Sequence, residues 1–184
     1  HIITVFSQHE NICLKLFHFS DTWIFNECNK REHLKLPNNR NYDKDTKDFI
    51  LSGHTKHQFI EYVTKENRFN TTHMMWMDID IAKIFRDKDE IICYLRELSQ
   101  STLKSEFITL PGCWSKLEKN KTNDVVDSVH WRFCGGFLLG DADSLLSFCI
   151  LYNKCIIEFL DKYNRSEEHT SELQSRQYLV CRLL

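Results

Sequence analysis

The stretch Thr72–Ile81, THMMWMDIDI, begins as an apolar run and turns acidic at its carboxyl end. A short apolar run of this kind reads as a buried strand. Asp78 and Asp80 stand at i and i+2, so on an extended backbone both side chains project to the same side. Carboxylates placed in this way can clamp a hard divalent cation. Mg2+ or Mn2+ takes one or two carboxylates and fills its oxygen shell from water and substrate phosphates. An ordinary pair of surface acids at a strand end is the competing reading, and the flanking sequence has to decide between them.

Upstream, Ile12–Phe17 reads as a strand, and Trp23-Ile24-Phe25 is a short apolar element before a polar loop carrying Pro37 and Asn38–Asn41. Asp43 or Asp45 is a candidate cap for a helix running to about Asn67. Its apolar stripe would be Phe49, Ile50, Phe59, Ile60 and Val63, with Gly53 as a candidate interruption. Downstream, Asp89–Ser99 reads as a helix with Ile91, Ile92, Leu95 and Leu98 on one face. Glu106–Leu110 reads as a strand stopped by Pro111-Gly112, and a charged loop over 115–124 follows. Val129–Leu139, VHWRFCGGFLL, is a further strand region with paired glycines, after which Asp141 or Asp143 caps an amphipathic helix to about Tyr163. Strands alternating with helices predict an α/β layered fold.

Composition removes several function classes. The formal net charge of −2 gives no electrostatic footprint for nucleic acid or for an anionic membrane surface. No apolar run approaches the roughly 20 residues that span a bilayer, so no membrane segment is expected in this stretch of chain. The eight cysteines are scattered and contain no C-x-x-C pair, which argues against a disulfide framework or structural zinc and for reduced thiols in a cytoplasmic protein. The cytoplasm would be that of a host if the source is viral. Cys113 and Cys134 read as packing residues, since no histidine stands in a partnering motif beside them.

The two ends are expected to be cut. His1 opens the chain inside a strand-like run, HIITVF, without an initiator Met. Arg165–Ser175, RSEEHTSELQS, is the translation of a common short-read library adapter, and Tyr178–Leu184 fits that adapter's distal end. Residues 1–164 are therefore read as one partial domain and residues 165–184 as an artefactual tail.

The second chemical signal is Trp131–Asp141, WRFCGGFLLGD, in which adjacent glycines before an apolar strand allow unusual backbone angles or close approach of a ligand. A β-bulge in a buried strand is the alternative. This segment resembles the glycine-containing acceptor-side element of the HtrL/YibB family of glycosyltransferase-like proteins, giant-virus-like members especially. The resemblance extends over LPNNRNYDKDTKDFI, the helix carrying Lys56, FNTTHMMWMDIDIAKIF and ITLPGCW, from about Leu36 to Asn164. Among similar proteins the position of Asp80 is the less constant of the two acids.

That resemblance implies a GT-A-like, Rossmann-type layered fold with a mostly parallel sheet, incomplete here at both ends. It also implies a metal-dependent glycosyltransferase that moves a sugar from a nucleotide-sugar donor to a glycan or other hydroxyl acceptor, inactive as this fragment. Arg40, Lys56, Trp76 and Asp78 would serve the donor, Asp78 and Asp80 would hold Mn2+ or Mg2+, and Arg132, Gly135 and Gly136 would line the acceptor side. Trp76 reads equally well as core, and Arg40 and Lys56 as solvated charge. No general base is identified, so the catalytic residue is open. The other functional class is a noncatalytic carbohydrate- or nucleotide-binding relative on the same scaffold.

Overall fold

Thr46 opens the helix that carries the first half of the candidate site. Its hydroxyl accepts from the Phe49 amide at 3.2 Å, and Asp48 in the first turn suits the positive end of the helix dipole. Neither Asp43 nor Asp45 acts as the expected cap. Asp45 is instead buried and accepts from the Asn41 amide at 3.0 Å, closing the turn before the helix. The computed structural model describes residues 9–31, 34, 36–79, 81, 87–112 and 133–163. Within them the order is α1 (Trp23–Asn29), α2 (Lys47–Glu66), β1 (His73–Met77), α3 (Lys88–Gln100), β2 (Ile108–Thr109), β3 (Phe137–Asp141) and α4 (Ala142–Tyr163).

The class is α/β, as expected. The sheet differs from expectation: β3 lies between β1 and β2 and pairs antiparallel with both, so no parallel pairing occurs among the described residues. This direction of pairing matters for the site. With Met77 opposite Phe137, the carboxyl end of β1 meets the residues that precede β3. Asp78 thereby comes to face the glycine pair, across a gap in sequence that neither motif bridges.

Helices α2 and α4 pack against one another, and α4 also contacts β3. One core cluster joins Ile60, Leu138, Leu145 and Cys149 with Met74 and Trp76, and another joins Ile24, Cys28, Leu51 and Leu160 at the α1 side. The buried face of α2 is Leu51, Thr55, His57, Ile60 and Thr64. This departs from the expected stripe, since Phe49 and Val63 are exposed. Gly53 does not interrupt the helix. Asn67, at φ 36, ends it in the left-handed region with its amide on the Val63 carbonyl, a position asparagine tolerates better than most residues.

Other boundaries shift for local reasons. Residues 12–17 belong to no sheet, and Phe17 is anchored by its ring against Phe59 and Tyr62. Trp23-Ile24-Phe25 begins α1. Asp87 caps α3 through the Asp89 and Glu90 amides. The strand expected over Glu106–Leu110 shrinks to Ile108–Thr109 because Glu106 adopts φ 63, which breaks the extended backbone. Residues 129–132 of the last expected strand lie outside the described residues, and the strand itself begins at Phe137. Asp141 then clasps two segments, its carboxylate accepting from the Ser144 amide at 3.0 Å and the Phe107 amide at 2.9 Å. Burial acts to raise its pKa, but these hydrogen bonds outweigh it and hold the carboxyl at about 2.

Candidate functional site

Asp78 stands one residue beyond β1, and its backbone amide donates to the Gly136 carbonyl at 2.9 Å. Its carboxylate is oriented from the strand side by Trp76, whose indole Nε1–H donates to Oδ1 at 2.8 Å. From the helix side, the Lys56 ammonium donates to Oδ1 at 2.8 Å, to Oδ2 at 2.6 Å and to the Gly135 carbonyl at 2.9 Å. Three N–H groups thus meet three oxygens, which uses the ammonium's full donor capacity. The Trp76 ring stacks on Phe59 of α2, with centroids 6.2 Å apart and planes 19° apart, so the indole is fixed by packing before it fixes Asp78. Trp76 thus packs against the core and orients the Asp78 carboxylate at once.

The glycines serve different ends. At Gly135 it is the carbonyl that meets Lys56, and a Cβ there would make only ordinary contact, 3.9 Å from Lys56 Nζ. At Gly136 a Cβ would lie 2.6 Å from Ile81 Cδ1 and 3.2 Å from Asp78 Oδ2. A side chain at that position would crowd the carboxylate, so Gly136 keeps the Oδ2 side open.

The oxygen set suits a hard divalent cation. The Lys56 ammonium rests on Asp78 Oδ1, Asp78 Oδ2 and the Gly135 carbonyl, all oxygens of the ligand type Mg2+ and Mn2+ take. The protein contributes one carboxylate here. Among the described residues no group of three or more His, Cys, Asp or Glu side chains is placed to hold a metal. Asp80, Arg132 and Cys113 lie outside the described residues. The contacts described for Arg40 stay in its own loop: Nη1 donates to the Pro37 carbonyl at 2.7 Å, and the guanidinium sits 4.3 Å over the Tyr42 ring. Its Nε is buried without a hydrogen-bond partner among the described residues.

The sequence reading missed a second polar cluster on the buried side of α2. His54 Nδ1 meets the Tyr152 hydroxyl of α4, and the His57 ring lies 4.1 Å from the Tyr152 ring. His57 is 4% exposed, and neither ring nitrogen has a partner among the described residues. Burial, reinforced by the neighbouring His54, lowers the His57 pKa to about 4. Burial likewise lowers the pKa of His54 and raises that of the Tyr152 phenol. The i, i+3 spacing of the two histidines was visible in the sequence, but nothing there named Tyr152 as their neighbour. Cysteine chemistry gains no support from Cys149, whose thiol burial pushes up to about 12.

Comparison with family models, curated proteins and solved structures returns no match. The functional reading therefore rests on Lys56, Trp76, Asp78 and the glycine pair. No helix among the described residues is long and apolar enough to cross a membrane.

Proposed function

We propose that this chain is part of a GT-A-like, metal-dependent glycosyltransferase of the cytoplasm that moves a sugar from a nucleotide-sugar donor to a hydroxyl acceptor. The observation that supports this most is the convergence of Lys56, Trp76, Asp78, Gly135 and Gly136, drawn from a helix, a strand end and a turn, around one carboxylate. Asp78, with Asp80 two residues on, would hold Mn2+ or Mg2+. When bound, such a cation supplies electrostatic compensation for the charge that develops on a leaving nucleoside diphosphate.

The remaining work falls to the chain's own groups. Trp76 holds the Asp78 carboxylate in one orientation, and Gly136 keeps its open side clear. Lys56 is a point charge on a flexible stem for a diphosphate oxygen, and Arg40 offers a planar fork for the same group. Gly135-Gly136, with Arg132, would border the sugar and acceptor side.

The test is turnover of a panel of UDP- and GDP-sugars with and without Mn2+. Asp78→Ala serves as control. Mn2+-dependent hydrolysis that falls at least 100-fold in the variant is expected, as for loss of a principal electrostatic group. Equal hydrolysis by both proteins would remove Asp78 from the mechanism. Donor binding without turnover would favour a noncatalytic binding protein.

A further inference from the structure

We infer that Lys56 is a displaceable internal cation: it occupies the Asp78–Gly135 oxygen cluster until a divalent cation takes those oxygens, and is then free to bind the donor's diphosphate. The inference rests on the metal-dependent reading above and adds a regulatory step to that site.

Two arrangements of Lys56 exclude one another. Its three N–H donors are committed to Asp78 Oδ1, Asp78 Oδ2 and the Gly135 carbonyl, so no donor is left for a phosphate oxygen. To serve a diphosphate the ammonium must leave the cluster. The oxygens it would vacate are hard ligands of the kind a divalent cation prefers. Lys56 and the cation therefore compete for one set of atoms.

The cluster is built to survive that exchange. Asp78 keeps its orientation without Lys56, because Trp76 donates to Oδ1, the Asp78 amide is held by the Gly136 carbonyl, and the Ile81 amide binds the Asp78 carbonyl at 3.0 Å. The side chains of Lys56 and Asp78 are 26% and 30% exposed, so water reaches the pair and screens it. A partly solvated lysine pair is weak enough to be displaced, whereas a fully buried one would resist. The long lysine stem allows the head group to swing while its base stays on α2.

Two measurements on the 184-residue chain test this. In the first, Mn2+ is titrated into the wild type, Lys56→Met and Asp78→Asn, with free Mn2+ followed by electron paramagnetic resonance. UDP binding is then measured at saturating Mn2+. Lys56→Met is expected to bind Mn2+ on the order of fivefold more tightly, the equivalent of roughly 1 kcal/mol of competing ion pair. The same variant should bind UDP more weakly, and Asp78→Asn should bind Mn2+ poorly. A purely structural lysine would weaken both ligands together, and that result overturns the inference.

The second measurement needs no variant. Acylation of Lys56 in the wild type, read by mass spectrometry, should speed up several-fold when Mn2+ alone is added and slow again with UDP. Mn2+ binding with unchanged Lys56 labelling and equal affinity in Lys56→Met overturns the inference while leaving the metal reading intact. If Mn2+ binds neither protein, the metal reading falls and takes the inference with it.

Discussion

Lys56 and His57 are neighbours in sequence on α2, yet they face opposite environments. Lys56 reaches a half-exposed edge where three oxygens wait for its charge. His57 turns inward between the rings of Trp23 and Tyr152, with no hydrogen-bond partner described for its ring nitrogens. The same helix thus sets one side chain in an ion pair and keeps a histidine neutral by burial. What separates the two outcomes is access to water and to an opposite charge, since burial without a partner disfavours the ionised form.

The strongest way to break this comparison is acid. The folded-state pKa of His57 lies at about 4, below its ordinary 6.5, so the folded chain binds fewer protons there than the unfolded chain. Stability from this group is complete above pH 6.5 and is lost as pH falls toward 4, by roughly 3 kcal/mol in all. Urea denaturation midpoints between pH 7 and pH 4 should show the decline. His57→Phe should flatten it, because a ring of similar shape has nothing to protonate. A slope unchanged in that variant would assign the acid sensitivity to other groups, His54 first among them.

At the other face the effect on stability is smaller. Lys56→Met should change the unfolding free energy by no more than about 1 kcal/mol, as expected for a pair that water reaches. A loss of several kcal/mol in the same denaturation assay would mean that Asp78 is effectively buried and depends on Lys56 for its charge. The smallest change concerns the helix that both residues share. A Cβ at Gly53 would meet nothing within 4 Å, so Gly53→Ala should stabilise the fold by about 0.5–1 kcal/mol. If it leaves Mn2+ binding unchanged, the helix backbone already holds Lys56 where it is needed.

The three longer helices were legible in the sequence because their signals are local, whereas α1 read only as a short apolar element. Asp87 before α3 and Asp141 before α4 are side-chain caps within three residues of the amides they serve. The candidate site was legible in its parts: the acidic end of THMMWMDIDI and the paired glycines each stood out, and Asp78, Lys56, Trp76, Gly135 and Gly136 are brought together. Their mode of meeting was not legible. Strand direction depends on which partner lies alongside, and nothing in β1 or β3 alone encodes an antiparallel pair. The inward face of α2 was misread for a related reason. Thr55, His57 and Thr64 are buried on the face that packs on α1 and α4, His57 between the rings of Trp23 and Tyr152, and polar residues at those positions carry no signal of burial. Residues 12–17 read as a strand, whereas the segment is held by the Phe17 ring against Phe59 and Tyr62 and by the Lys15 ammonium on Tyr62 and Glu66.

The register of Met77 against Phe137 has a kinetic meaning as well. Lys56 and Asp78 are 22 residues apart, but Lys56 and Gly135 are 79 apart, so the complete oxygen cluster requires β1 and β3 to find one another across a long stretch of chain. Contacts of such sequence separation form after local helices, because the entropy of closing the intervening chain is lost before they give any return. Formation of α2 alone can present Lys56, but it cannot assemble the site. A chain that has collapsed around its helices without seating β3 would have native-like helicity and no assembled oxygen cluster, and the proposed Mn2+ binding should return during refolding later than the helical signal.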